Sequence, residues 1–100
     1  MTVGQIIARL QDALPALRSR YAVEELGLFG SAARGSDDSE SDLDILVRFL
    51  PGTSVTLFSL SRLACDLEDL LGRRVDLVED HKGLRPEFRA TVKRDLIRVA

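Results

Sequence analysis

Two aspartates separated by a single residue give this sequence its clearest chemistry. In Asp42-Leu43-Asp44-Ile45-Leu46-Val47-Arg48-Phe49, the apolar residues Leu43, Ile45, Val47 and Phe49 recur at every second position, the period of a β-strand. Side chains two apart on a strand leave the same face, so Asp42 and Asp44 point the same way from backbone positions roughly 6.5–7 Å apart. Two carboxylates that close repel unless a proton or a cation lies between them. At neutral pH the natural remedy is a hard divalent cation, and Mg²⁺ binds through a few carboxylates together with substrate phosphates. Upstream, an apolar run through Leu26, Leu28 and Phe29 stops at Gly30-Ser31. A glycine lets the backbone approach a ligand closely. The Ala32-Ala33-Arg34 that follows reads as a helix turn, whose leading N–H groups suit an anion, most often phosphate. A phosphate-holding corner so close to a metal-binding acid pair points to phosphoryl or nucleotidyl transfer.

The pattern Gly30-Ser31-x-Ala33-Arg34-Gly35, then five residues, then Ser41-Asp42-x-Asp44, resembles the signature of the minimal nucleotidyltransferases of the DNA polymerase beta superfamily. The Gly-Ser-x10-Asp-x-Asp spacing is intact. A later segment, Gly72-Arg73-Arg74-Val75-Asp76-Leu77-Val78, resembles the strand that carries that family's third carboxylate, here Asp76. The resemblance covers nearly the whole chain. It implies a nucleotidyltransferase fold of the α/β (α+β) class, a small mixed sheet of three to four strands with helices packed mainly on one face. Residues 1–100 are expected to form one such domain.

The same resemblance implies a chemistry. A two-ion Mg²⁺ site would be held by Asp42 and Asp44, bridging the ions, and by Asp76, completing the shell on the nucleophile side. Asp76 would also ease deprotonation of the attacking hydroxyl. Gly30 and Ser31 would hold the β- and γ-phosphates of a nucleoside triphosphate, expected to be ATP. Arg34 is read either as a fork donor to phosphate or as a plain helix-surface arginine. The acceptor hydroxyl attacks the α-phosphorus directly and pyrophosphate leaves, with positioning and electrostatics supplying most of the rate. Minimal nucleotidyltransferases are typically encoded beside a helical HEPN partner, usually a ribonuclease toxin. The expected role is therefore an antitoxin that transfers AMP to a tyrosine of a HEPN-type toxin. The alternative is a binding antitoxin that neutralises its partner by contact alone. Transfer to a small molecule is the weaker reading, since little sequence remains to grip an acceptor. The nucleotide, the acceptor and the oligomeric state, homo- or hetero-, stay open.

The elements that must position these residues follow from patterning. Thr2 and Gln5 form a candidate capping box. Val3, Ile7, Leu10, Leu14, Leu17 and Tyr21 then trace one helical stripe. Pro15 either kinks that helix or begins a second short one, residues 15–20. Glu24–Phe29 is the first strand, and Ser36–Ser41, with Asp37, Asp38 and Glu40, a solvated loop. Pro51-Gly52 signals a turn. Leu60, Leu63, Ala64, Leu67, Leu70 and Leu71 make a second helical stripe that Gly72 ends. Residues 74–78 form a third strand, expected to run parallel to the second across that helix. Its Val75 and Leu77 face the core, so Asp76 faces the other side and can approach Asp42 and Asp44 across a strand spacing of about 4.8 Å. The competing reading makes Asp76 a strand-end acid paired with Arg73 or Arg74. His81, the one histidine, leads into a loop, where a lone histidine is usually structural. Pro86 opens a last helix with Phe88, Val92 and Leu96 inward. Residues 96–99 could instead be an edge strand, which the sequence does not decide.

Composition bounds the partners. Net charge is −2 and the twelve arginines and two lysines are scattered, so long nucleic acid is not an expected ligand. The single cysteine, Cys65, excludes an internal disulfide and lies off the apolar stripe, with nothing nearby in sequence to activate it. No apolar run approaches a membrane span and no leader pattern is evident, so a cytoplasmic protein is expected.

Overall fold

The computed structural model describes residues 1–35 and 41–100. The expected loop at Ser36–Ser41, with Asp37, Asp38 and Glu40, lies outside the described residues except for Ser41. In chain order the elements are α1 (Val3–Tyr21), β1 (Val23–Phe29), α2 (Gly30–Ala33), β2 (Leu43–Phe49), α3 (Leu57–Leu71), β3 (Val75–Glu79), α4 (Pro86–Asp95) and β4 (Ile97–Arg98). The strands form one mixed sheet in the order β3-β2-β1-β4. β1 runs antiparallel to β2 and to β4, and β2 runs parallel to β3 across α3.

α1 begins with the expected capping box. Thr2 Oγ1 accepts from the Gln5 N–H (3.1 Å), and Gln5 Oε1 accepts from the Thr2 N–H (2.8 Å). The helix runs unbroken through Pro15, so no second helix starts there. Proline forfeits one backbone bond, but its ring is exposed and the flanking Leu14 and Leu17 are buried, so packing holds the helix across the lost bond. The buried face is Ile6, Leu10, Leu14 and Leu17, while Val3, Ile7 and Tyr21 lie at its margin. The inward face is therefore turned from the expected stripe by part of a turn, with Ile6 in place of Ile7. α3 has its own capping box between Thr56 and Ser59 and ends at Gly72 in the left-handed region (φ +67°), as the stripe predicts. Pro51-Gly52 makes the expected turn, with Gly52 at φ +84° and the Thr53 N–H bonded to the Leu50 carbonyl.

Period-2 alternation sorts the sheet into two faces. Leu26, Leu28, Leu43, Ile45 and Val47 pack with Ile6, Leu10, Leu63, Leu67 and Leu71 of α1 and α3 in the main core. On the other face Phe29 and Leu46 pack with Val92 of α4, joined by Val78 and Leu96. Two long helices thus cover one face, and among the described residues α4 covers part of the other. The C-terminal ambiguity resolves as helix and then strand, with the Val99 and Ala100 N–H groups bonded to the Leu26 carbonyl. Among the described residues no helix is long and apolar enough to cross a membrane.

Candidate active site

The face under α4 also carries Asp42, Asp44 and Asp76, at the end of the sheet beyond Phe29. Three features hold that end in register. The Leu43 N–H bonds the Arg74 carbonyl (2.9 Å), the Val75 N–H bonds Glu68 Oε2 (2.9 Å), and an Arg73 guanidinium nitrogen donates to the Ser41 carbonyl (2.7 Å). Together they fix the starts of β2 and β3 side by side. Asp44 is then the register partner of Asp76 on one flank and of Phe29 on the other. Arg73 is turned to Ser41, and Asp76 stands within hydrogen-bonding reach of Asp44.

Gly30 lies where β1 turns into α2. It has φ +74°, and a Cβ built on it would run into the Asp44 carboxylate. Both the backbone conformation and the close approach require glycine. Asp44 is half-buried between this corner and β3, while Asp42 and Asp76 are exposed. Burial pushes the Asp44 pKa up, and so do the charge and hydrogen bond of Asp76 and the charge of Asp42. The charge of Arg34 opposes the rise. These are the energetics of a carboxylate that lacks positive charge, and an all-oxygen acidic donor set suits a hard divalent cation. Among the described residues no three acidic, histidine or cysteine side chains already converge tightly enough to grip an ion. The gathered pair is Asp44 with Asp76, and Asp42 stands farther out on the same strand face.

The other expected site residues fall around this pair. Ser31 is half-buried in the first turn of α2. Arg34 follows that helix and forms an ion pair with Asp95 at the end of α4 (2.7 Å). His81 closes its own turn: its Nδ1 accepts from the Gly83 N–H (3.0 Å) and its carbonyl from Arg89 (2.5 Å). Cys65 is exposed on α3. Surface grooves flanking Phe58, lined by Arg20, Tyr21, Arg62 and Asp66, belong to the α1–α3 side and not to the carboxylates.

Sequence reasoning missed two acids. Asp80, which no sequence pattern above marks, is buried at the end of β3 and held by Arg89 (2.9 Å) and Lys93 (3.7 Å). The available signal was that these two cations, four apart, share one face of α4. Asp95 was not singled out at all, although an acid in the last turn of a helix opposes the helix dipole and so asks for a partner.

Residues 10–99 match the family described as "Nucleotidyltransferase domain". The protein adenylyltransferase MntA of Thermococcus cleftensis is 39% identical over 99 residues, covering 99% of this chain and 97% of that protein. A solved structure described as a candidate minimal nucleotidyltransferase superposes with TM-score 0.76 at 41% identity, over 97% of this chain and 95% of the other. A tri-AMPylated HEPN toxin in complex with its MNT antitoxin, from Shewanella oneidensis, superposes with TM-score 0.61 at 22% identity, over 98% of this chain and 68% of the other, a likeness of fold.

Proposed function

The chain belongs to the nucleotidyltransferase domain family, and from that premise we propose that it transfers AMP from ATP to a hydroxyl of a HEPN-type partner protein, acting as that partner's antitoxin. The observation that carries the reading is the pairing of Asp44 with Asp76 on adjacent parallel strands, beside a glycine corner that only Gly30 can make. The protein acceptor is suggested by the relative named as a protein adenylyltransferase. The partner class is suggested by the fold neighbour solved with an AMPylated HEPN toxin.

Asp42, Asp44 and Asp76 are the residues that would hold Mg²⁺. When bound, the ion neutralises charge on the phosphates and on the attacking oxygen. The chain's own groups do the rest. The Gly30-Ser31 corner, without a Cβ in the way, brings the triphosphate against Asp44. Arg34 supplies a guanidinium to phosphate oxygens. Asp76, exposed at the site's edge, faces the incoming hydroxyl and takes its proton. The hydroxyl oxygen bonds the α-phosphorus, the bond from that phosphorus to the β-phosphate oxygen breaks, and pyrophosphate carries away the electron pair. The resident adenylyl group is thereby moved to the partner, with no side-chain nucleophile.

The test is to incubate the chain with ATP labelled on the α-phosphate, Mg²⁺ and a HEPN-type partner. Label on the partner is expected, with loss of about 10²-fold or more in Asp42→Asn and Asp44→Asn. A stable complex with no label would overturn transfer in favour of neutralisation by contact alone.

A further inference from the structure

We propose that Asp95 is a positioning residue for Arg34: it holds the guanidinium at the rim of the carboxylate site by one nitrogen, so that the remaining donors meet the phosphates of the nucleotide. The inference rests on the nucleotidyl-transfer reading and deepens it.

Asp95 lies 61 residues from Arg34 in sequence, and one Arg34 terminal nitrogen meets Asp95 Oδ2 at 2.7 Å. Among the described residues this is the one hydrogen bond of the Arg34 guanidinium, so its other nitrogens remain to donate. The Asp95 side chain is 16% exposed and that of Arg34 52%, so a largely sheltered acid holds a largely open cation. The anchor is rigid on both sides. Before it, α4 is fixed by buried Val92 and by Arg89 and Lys93 on Asp80. After it, β4 pairs with Gly27 and Leu28 of β1, just ahead of the Gly30 corner. Arg34, by contrast, hangs on a four-residue helix that cannot orient a long side chain by itself. The placement of Asp95 also needs a reason. Lys93 and Arg94 suit the negative end of α4, whereas a carboxylate as its last residue is unfavourable there and is explained by its partner. Finally, the charge of Arg34 opposes the raised pKa of Asp44, so the tethered guanidinium lies within electrostatic reach of the carboxylates.

An exposed ion pair adds little to stability, so its consequence is orientation. In Asp95→Ala the Kd for Mg·ATP by calorimetry, and the KM for ATP in the transfer assay, should rise about threefold to fivefold while kcat stays within about twofold. Asp95→Glu should restore most of the affinity. Arg34→Ala should weaken binding at least as much, and adding Asp95→Ala to it should change nothing further. The melting temperature of each variant controls for folding. If Arg34→Ala weakens Mg·ATP binding but Asp95→Ala does not, or if the two effects add, the inference is overturned and the transfer reading stands. If the unaltered chain binds no Mg·ATP, the transfer reading itself falls, and that outcome is recognised without any variant.

Discussion

Gly30 answers two demands at once, a positive φ and the Asp44 carboxylate pressed against its Cα. Gly30→Ala should therefore destabilise the protein by about 1–3 kcal/mol in urea denaturation, and should abolish transfer because Asp44 must move. Asp44 itself makes a sharper prediction. Its folded pKa lies above the ordinary 3.8, first through burial, then through Asp76 and Asp42. The stability contributed by this group is full below the unfolded pKa and is lost as pH rises through the raised folded value, because the unfolded chain ionises more readily. In EDTA at pH 7, Asp44→Asn should melt a few degrees above the unaltered chain, and the gap should close as pH falls below the unfolded 3.8. Equal melting temperatures at both pH values would remove the electrostatic account of the site.

At the scale of elements, what the sequence revealed was what depends on period and spacing. Thr2 with Gln5, Gly72, Pro51-Gly52 and the alternation of Leu43 through Phe49 each act through near neighbours, and each forms the element it predicts. The Asp44–Asp76 pairing was also legible, since a helix between two strands makes them parallel neighbours. Features that depend on distant partners were not. Ile6 is buried and Ile7 only partly so, a choice made by the elements α1 packs against rather than by its own sequence. The two-residue β4 exists because β1 offers an open edge, and the sequence of 96–99 carries no decisive signal. The burial of Asp80 was not legible from its own neighbours because its cations come from α4. Two measurements follow. Asp80→Asn, which keeps the shape and removes the charge facing Arg89 and Lys93, should lower stability by about 1–3 kcal/mol in urea. Pro15→Ala should raise it by about 1–2 kcal/mol, since the exposed ring gives no packing in return for the missing helix bond, less the entropy the unfolded chain regains.

For the whole molecule, the sheet carries its packing on both faces and its clustered negative charge at one end, so the site and the global stability are linked. Asp44, whose burial beside Asp76 and Asp42 disfavours its ionised form in the ligand-free fold, is among the groups that would bind the cation. Any ligand that binds only the folded chain stabilises it by RT ln(1 + [L]/Kd), about 2.7 kcal/mol at one hundred times Kd, on the order of 10 °C for a chain of this length. The unaltered protein should gain that increment from Mg·ATP, and Asp44→Asn should gain little because a ligand position is gone. The ranking should then invert: in EDTA the variant melts higher, and in saturating Mg·ATP the unaltered chain does. Thermal melts of both proteins under both conditions check this directly. Equal gains from Mg·ATP in the two proteins would mean that the acids at the end of the sheet are not where cation and nucleotide bind, because stabilisation from a ligand seated elsewhere would reach both proteins alike.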